Sequence, residues 1–169
     1  MSQNTTSAAR PRTASERRGK IPFHIELIKP SHYDDDGYVI QWIRSAIPSN
    51  TMAAIYGIAL DCIERSVLGA DVEIRVSAYD ETNTHVDARK IGRSIRESGG
   101  HGLVALIGVQ TNQFPRAVAL GAEFLAEGVP ACIGGFHVSG CVSMLPETPA
   151  DLTDAMNRGL SQFAGALEG

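Results

Sequence analysis

The sequence predicts an α/β protein: an open, mostly parallel five-stranded sheet with helices on both faces, a Rossmann-like or flavodoxin-like three-layer sandwich. Three observations carry this expectation. Short apolar strand patterns alternate with helix patterns along the 169 residues, which is the order of consecutive βαβ units. The run Leu103–Val109 is apolar without alternation, as in a central strand buried on both faces of a parallel sheet. Two strand patterns also empty straight into polar or glycine-rich segments, at Gln110-Thr111-Asn112-Gln113 and at Gly134-Gly135-Phe136-His137. Joins of that kind line the carboxyl edge of a parallel sheet, where ligands bind.

Each element has its own signal. Phe23–Lys29 reads as the first strand, bounded by Pro22 and Pro30, since proline is confined to strand ends and edges. The connection Ser31–Asn50 far exceeds the usual βα loop of about 2–6 residues, which makes it a candidate lid. It holds the turn Asp34-Asp35-Asp36-Gly37 and an apolar piece, Tyr38–Ile43, expected to form a helical turn or two. Asn50 or Thr51 caps a helix to about Leu68, with Met52, Ile55, Ala59, Ile63 and Val67 facing inward and Gly69 as its stop. Asp71–Ser77 reads as a strand with Val72, Ile74 and Val76 on one face. A polar helix, Thr84–Ser98, buries Val86, Ile91 and Ile95, and Gly100-His101-Gly102 turns into the central strand. The helix Asn112–Glu127 is capped by Thr111 or Asn112, with Pro115 tolerated in its first turn. A strand at Pro130–Ile133, a helix at Asp151–Arg158 and a last strand at Leu160–Ala164 complete the order.

Residues 1–20 are set apart by composition. Arg10, Arg12, Arg17, Arg18 and Lys20 stand against the single acid Glu16, and there is no large apolar side chain beyond the initiating Met. Such a segment cannot offset the entropy of ordering and is expected to be a disordered tail. Residues 21–169 are expected to form one domain. With the whole chain at −4, that body carries a net charge of about −8, which argues against non-specific nucleic-acid binding. No apolar stretch approaches the ~20 residues of a membrane span, and the N-terminus lacks the apolar core of a secretory signal. Cys62, Cys132 and Cys141 are unevenly spaced, without a CxxC pair. A disulfide framework or structural zinc site is therefore not expected, Cys62 and Cys132 read as core residues, and a reducing cytoplasm fits.

The joins are the candidate site. Capping alone would explain one polar side chain after Val109, yet three amides occur at Gln110, Asn112 and Gln113. Gly134-Gly135 permits a close backbone approach or simply a tight turn. His137 reads as a satisfied loop histidine, a metal ligand or a cofactor contact, and His32 lies just past the first strand. Asp34, Asp35 and Asp36 lack the spaced ligands of a calcium loop and read as a solvated turn. There is no GxSxG, Walker or GxGxxG pattern, and only Lys29 and Arg116 lie near the edge loops. A nucleoside triphosphate is disfavoured; a large, polar, weakly charged ligand rich in amides suits these neutral donors and acceptors.

Four segments occur in order: Lys29-Pro30-Ser31-His32-Tyr33, Ile47-Pro48-Ser49-Asn50-Thr51, Gly108-Val109-Gln110-Thr111-Asn112-Gln113-Phe114-Pro115-Arg116 and Ile133-Gly134-Gly135-Phe136-His137-Val138-Ser139-Gly140. Together they resemble the N-terminal cobalamin-binding-like domain of B12-type radical SAM proteins, over roughly residues 21–169. The resemblance implies a base-off corrinoid held by Pro30, Ser31, His32, Tyr33, Ser49, Asn50, Thr51, Gln110, Thr111, Asn112, Gln113, Phe114, Gly134, Gly135, Phe136, His137 and Ser139. The chain departs from the family in three ways. Ala166 stands where an acid is expected near the junction with the barrel, and the Cx3Cx2C cluster motif is missing. The Asp-x-His-x-x-Gly signature is unmet, because Pro30 and Asp35 flank His32. No iron–sulfur cluster, SAM site or radical SAM barrel is therefore expected in this chain, nor radical chemistry by it alone; His32 is the weaker candidate for a cobalt ligand. The competing expectations are an interaction subunit without cofactor, partnered by a radical SAM domain or subunit, and a small enzyme using His137 or His32 as acid or base.

Overall fold

The computed structural model describes residues 19–42, 49–99 and 101–165. Most of the N-terminal segment read above as a tail, and residues 43–48 of the long connection, lie outside them. Five strands form one sheet: β1 (Ile21–Lys29), β2 (Val72–Asp80), β3 (His101–Leu106), β4 (Ala131–Gly134) and β5 (Ser161–Phe163). Their order is β2-β1-β3-β4-β5 and every pairing is parallel. This is the flavodoxin-like α/β order, with its switch point between β1 and β3. The helices are α1 (Asn50–Glu64), α2 (Ala88–Glu97), α3 (Phe114–Ala126), α4 (Phe136–Met144) and α5 (Ala150–Asn157).

The reversal of strand order at the switch point, with right-handed crossovers, puts α1 on one face of the sheet and α2, α3 and α5 on the other. The second face holds the main apolar core. Ile28, Val104, Leu106 and Ile133 from the sheet meet Ile95 of α2, Leu120 and Phe124 of α3, and Leu152 of α5 there. Each such side chain contributes on the order of 1.5–3 kcal/mol of burial. Gly92 and Gly121 let this layer close tightly, since a Cβ at Gly121 would sit 2.5 Å from Leu160. The same layer buries Glu26, whose Oε2 has no partner. Burial, reinforced by this neighbouring carboxylate, pushes the Tyr79 hydroxyl above its ordinary range.

The α1 face is thinner than the sequence predicts. Of the expected inward set only Ala59 is fully buried, and Val67 is exposed beyond the end of the helix. Helix α1 stops at Glu64 rather than Leu68, and its cap is Ser49, whose Oγ accepts from Met52 N at 3.2 Å. Cys62, read as core, is only partly buried.

Other boundaries also moved. Asp87 caps α2, so the helix starts at Ala88 and not Thr84. Strand β2 runs on to Asp80, and His101 is the first residue of β3 rather than part of a turn. Over the described part of Tyr38–Ile43 there is no helical turn: Val39 makes an antiparallel bridge with Tyr33. The segment after Gly135, read only as a loop, forms α4; its glycine and mixed polar content hid a helix that has no amphipathic stripe to announce it.

Phe124→Ala is expected to cost about 3–5 kcal/mol of stability by leaving a cavity in the α2–α3 layer. Ile58→Ala on the looser α1 face is expected to cost less than about 1 kcal/mol. Urea denaturation measures both, and comparable losses would contradict the unequal packing of the two faces.

Candidate functional site

All four loops named by the sequence meet at the carboxyl edge, around the switch point. The tightest contact joins the segments after β3 and β4. Val109 N donates to Gly134 O at 3.2 Å, and His137 N donates to Val109 O at 3.0 Å. Gly135 makes this possible: its φ is +147°, and a Cβ there would lie 2.2 Å from Val109 N. The close backbone approach that the glycine pair permits is thus to a neighbouring loop. Helix α1 begins at the same edge, where Thr51 packs 3.6 Å from the Cβ position of Gly108. Asn50, Asn112 and His137 therefore belong to one rim and not to opposite ends of the molecule.

Strand β3 ends at Leu106, short of the expected Val109, and a short 3-10 turn, Thr111–Gln113, stands where the helix is expected to begin, so that α3 starts at Phe114. The expected cap by Thr111 or Asn112 is replaced by Gln113. Its Oε1 accepts from Gln110 N at 2.9 Å, and its Nε2 donates to Pro30 O at 2.9 Å, tying this turn to the loop after β1. Gln113 and Phe114 are buried, whereas Gln110, Thr111 and Asn112 are exposed to solvent. Asn50, Thr51 and Phe136 are exposed too, and His32, Tyr33, Gly134, Ser49 and Ser139 are partly so. The Ser139 hydroxyl accepts from Gly165 N at 3.1 Å, which ties α4 to the end of β5.

Sequence reasoning missed the charged groups that hold this rim. Glu81, just past β2, is 1% exposed. Its carboxylate accepts from Ser31 N at 3.0 Å and from Arg116 Nε at 3.0 Å. The Ser31 hydroxyl donates to Ile40 O, closing the loop on itself. Burial opposes the Arg116 charge, but the hydrogen bonds and field of Glu81 prevail and raise it above its ordinary value. The guanidinium also lies 6.0 Å from the Tyr33 ring centre, a cation–π distance. Beside it, Lys29 pairs with Asp80 at 3.0 Å. Burial works against the Asp80 carboxylate as well, yet hydrogen bonds from Thr82 and Lys29 hold it below the usual range. Nothing in linear spacing announces these pairs. Their members come from different strands and from α3, and each pair matches its own charges, whereas Asp34, Asp35 and Asp36 of the loop after β1 face solvent.

Behind the rim a cavity of about 390 Å³ runs between α1 and the sheet. Its walls are Ile25, Leu27, Ile55, Ile58, Ala105 and Cys132, and Thr51, Gly108 and Gly135 stand at its edge end. The register explains the shape: Leu27 pairs with Ala105 and Ala105 with Cys132, so two small side chains beside a leucine leave a trough across the sheet. Among the described residues no cluster of His, Cys, Asp and Glu is arranged to hold a metal ion, and no helix is long and apolar enough to cross a membrane.

Strand order and rim together define a flavodoxin-like α/β sandwich with an apolar cavity opening at its switch point. No family model, curated protein or solved structure matches the chain.

Gly135→Ala is expected to abolish the native fold, as read by circular dichroism, because both its φ and its space exclude a Cβ. Gly134→Ala should fold, since a Cβ there meets only ordinary contacts at 3.5 Å. For Asp80, a carboxyl depressed in the folded state contributes stability above its unfolded pKa and loses it as pH falls through the folded value. Asp80→Asn should therefore flatten the acid limb of a stability–pH curve below about pH 4, the ordinary carboxylate range; an unchanged limb would contradict the role given to Thr82 and Lys29.

Proposed function

We propose that this chain is a corrinoid-binding module that holds a base-off cobalamin at the carboxyl edge of the sheet. The observation that carries the reading is the pairing of a broad rim of exposed amides and hydroxyls with an apolar cavity opening from it. A corrin ring is wide, amide-fringed and without strong charge; exposed Gln110, Thr111, Asn112, Asn50 and Thr51 offer it neutral donors and acceptors. A base-off corrinoid also has a detached heteroaromatic base that needs a dry slot. The trough of Leu27, Ala105 and Cys132 beneath α1 has the volume and lining for one, because small-molecule sites are largely apolar with a few polar groups at fixed points.

The residues present fit the group on chemical grounds. Gly108 and Gly134 leave room where side chains would crowd the mouth, and the wall beside them is Ala54, Ala105 and Cys132 rather than a filled core. When bound, the corrinoid would supply the cobalt-centred chemistry, and the protein would supply binding and orientation. Gln113, Glu81 and Arg116 would act through the backbone, holding Pro30 and Ser31 in place so that His32 and Tyr33 flank the ring.

A second reading, an interaction subunit for a radical SAM domain, draws support from exposed aromatics on the same edge. Tyr38 is 72% exposed, Trp42 64% and Phe136 65%, which is unusual for such large apolar rings unless something covers them.

Absorbance titration with hydroxocobalamin, followed by gel filtration, tests the first reading. Co-elution of the chromophore with the protein is expected, and Ala105→Phe, which fills the trough, should weaken binding at least about ten-fold, equivalent to about 1.4 kcal/mol. Absence of any spectral change or co-elution would overturn it and leave the interaction reading in place.

A further inference from the structure

A cluster beside the rim has the parts of a nucleophilic site. His137, in the first turn of α4, is 8% exposed and its ring lies 4.4 Å from that of Phe114. Its Nε2 is 3.0 Å from Asp151 Oδ2, at the start of α5. The other Asp151 oxygen accepts from Leu152 N at 2.8 Å, so the carboxylate is itself fixed. A carboxylate can only accept, so in the neutral ring the imidazole proton sits on Nε2 and the lone pair on Nδ1. That lone pair faces Cys141 Sγ at 4.0 Å, one helical turn along α4, and Thr111 Oγ1 at 3.4 Å. Of the two, a thiol ionises within reach of neutral pH, at about 8.5 for a free cysteine, and an alcohol does not.

From this arrangement we infer that Cys141 is a nucleophilic thiol, with His137 as its general base and Asp151 orienting the base. Nucleophile, base and orienting group in sequence are the signature of an activated nucleophile, and such contacts are commonly looser before a substrate is bound. The electrophile follows from what surrounds the pair. Acyl transfer would need N–H donors aimed at an oxyanion, but the neighbouring amides of His137 and Ser139 already donate to Val109 O and Gly135 O. Displacement at sulfur generates no oxyanion, so the substrate class assigned is a small disulfide. Cys141 Sγ attacks one sulfur, and the new S–S bond forms as the old one breaks. The thiol proton passes to His137 Nδ1, and the departing thiolate, leaving with the electron pair of the broken bond, takes that proton back. The products are a mixed disulfide on Cys141 and one free thiol.

The other cysteines supply internal controls. Burial pushes the Cys132 thiol up to about 11, which makes it unreactive, and among the described residues no imidazole contacts the Cys62 thiol. The full chain is mixed with dithiobis(nitrobenzoate), and release of the coloured thiolate is followed in time. One fast equivalent is expected, lost in Cys141→Ser, slowed at least about ten-fold in His137→Gln, and slowed several-fold in Asp151→Asn, a half-exposed position whose fold is checked by circular dichroism. The acid limb of the pH–rate profile should move up toward the ordinary range of a free thiol, about 8.5, in His137→Gln, a change that loss of packing alone would not make. The slower reaction of Cys62 reports whether each variant is folded. A fast phase that survives Cys141→Ser, no fast phase at all, or a Cys141 rate indifferent to Asp151→Asn would overturn the assignment. Each readout is independent of whether a corrinoid binds.

Discussion

The candidate site depends on a single contact between main chains. Val109 and Gly135 approach so closely that no side chain fits between them, and two hydrogen bonds fasten the loops on either side. This contact fixes where the 3-10 turn leaves β3 and where α4 begins, and so places Asn112 and His137 on one rim. Buried backbone groups must be paired, and here the loops satisfy each other instead of waiting for a ligand. The loops on either side of this contact are thus fixed by the chain's own hydrogen bonds.

A second constraint is the unequal treatment of the two sheet faces. Three helices pack one face to full burial, whereas α1 covers only part of the other and leaves a trough along β3 and β4. The main stability resides on the first face. The second is free to hold a cavity because the fold does not rely on filling it, a division in keeping with function placed where packing is weakest. Small residues at Ala105 and Cys132 would be a defect in a dense core; here they are what gives the trough its depth.

The rim is polar in a particular way. Lys29, Asp80, Glu81 and Arg116 all lie near the ends of β1 and β2, yet each charge is matched by another. The Glu81–Arg116 pair is buried, and removing one partner of such a pair costs far more than the pair contributes. Its role is to hold the loop after β1 against α3 in one arrangement. His137 and Asp151 do the same between α4 and α5, and the other imidazole nitrogen, Nδ1, is the one that faces Cys141.

The fold was legible in the sequence because hydrophobic periodicity reports burial locally. Unbroken Leu103–Val109 marked the central strand, and the five strands emerged in order with only their ends displaced. The rim loops were legible as well, since Gln110-Thr111-Asn112-Gln113 and Gly134-Gly135 break the apolar pattern abruptly. Helix α4 was not, because its residues have no amphipathic period. Nor were the partners of Glu81, Gln113 and His137, which lie 35, 83 and 14 residues away along the chain. Pattern along the chain determined which residues are strand, helix or edge loop. Which edge side chains face solvent and which are committed to holding the loops was decided only by tertiary packing, because hydrogen bonds and cavities depend on distances in space that separation in sequence does not encode.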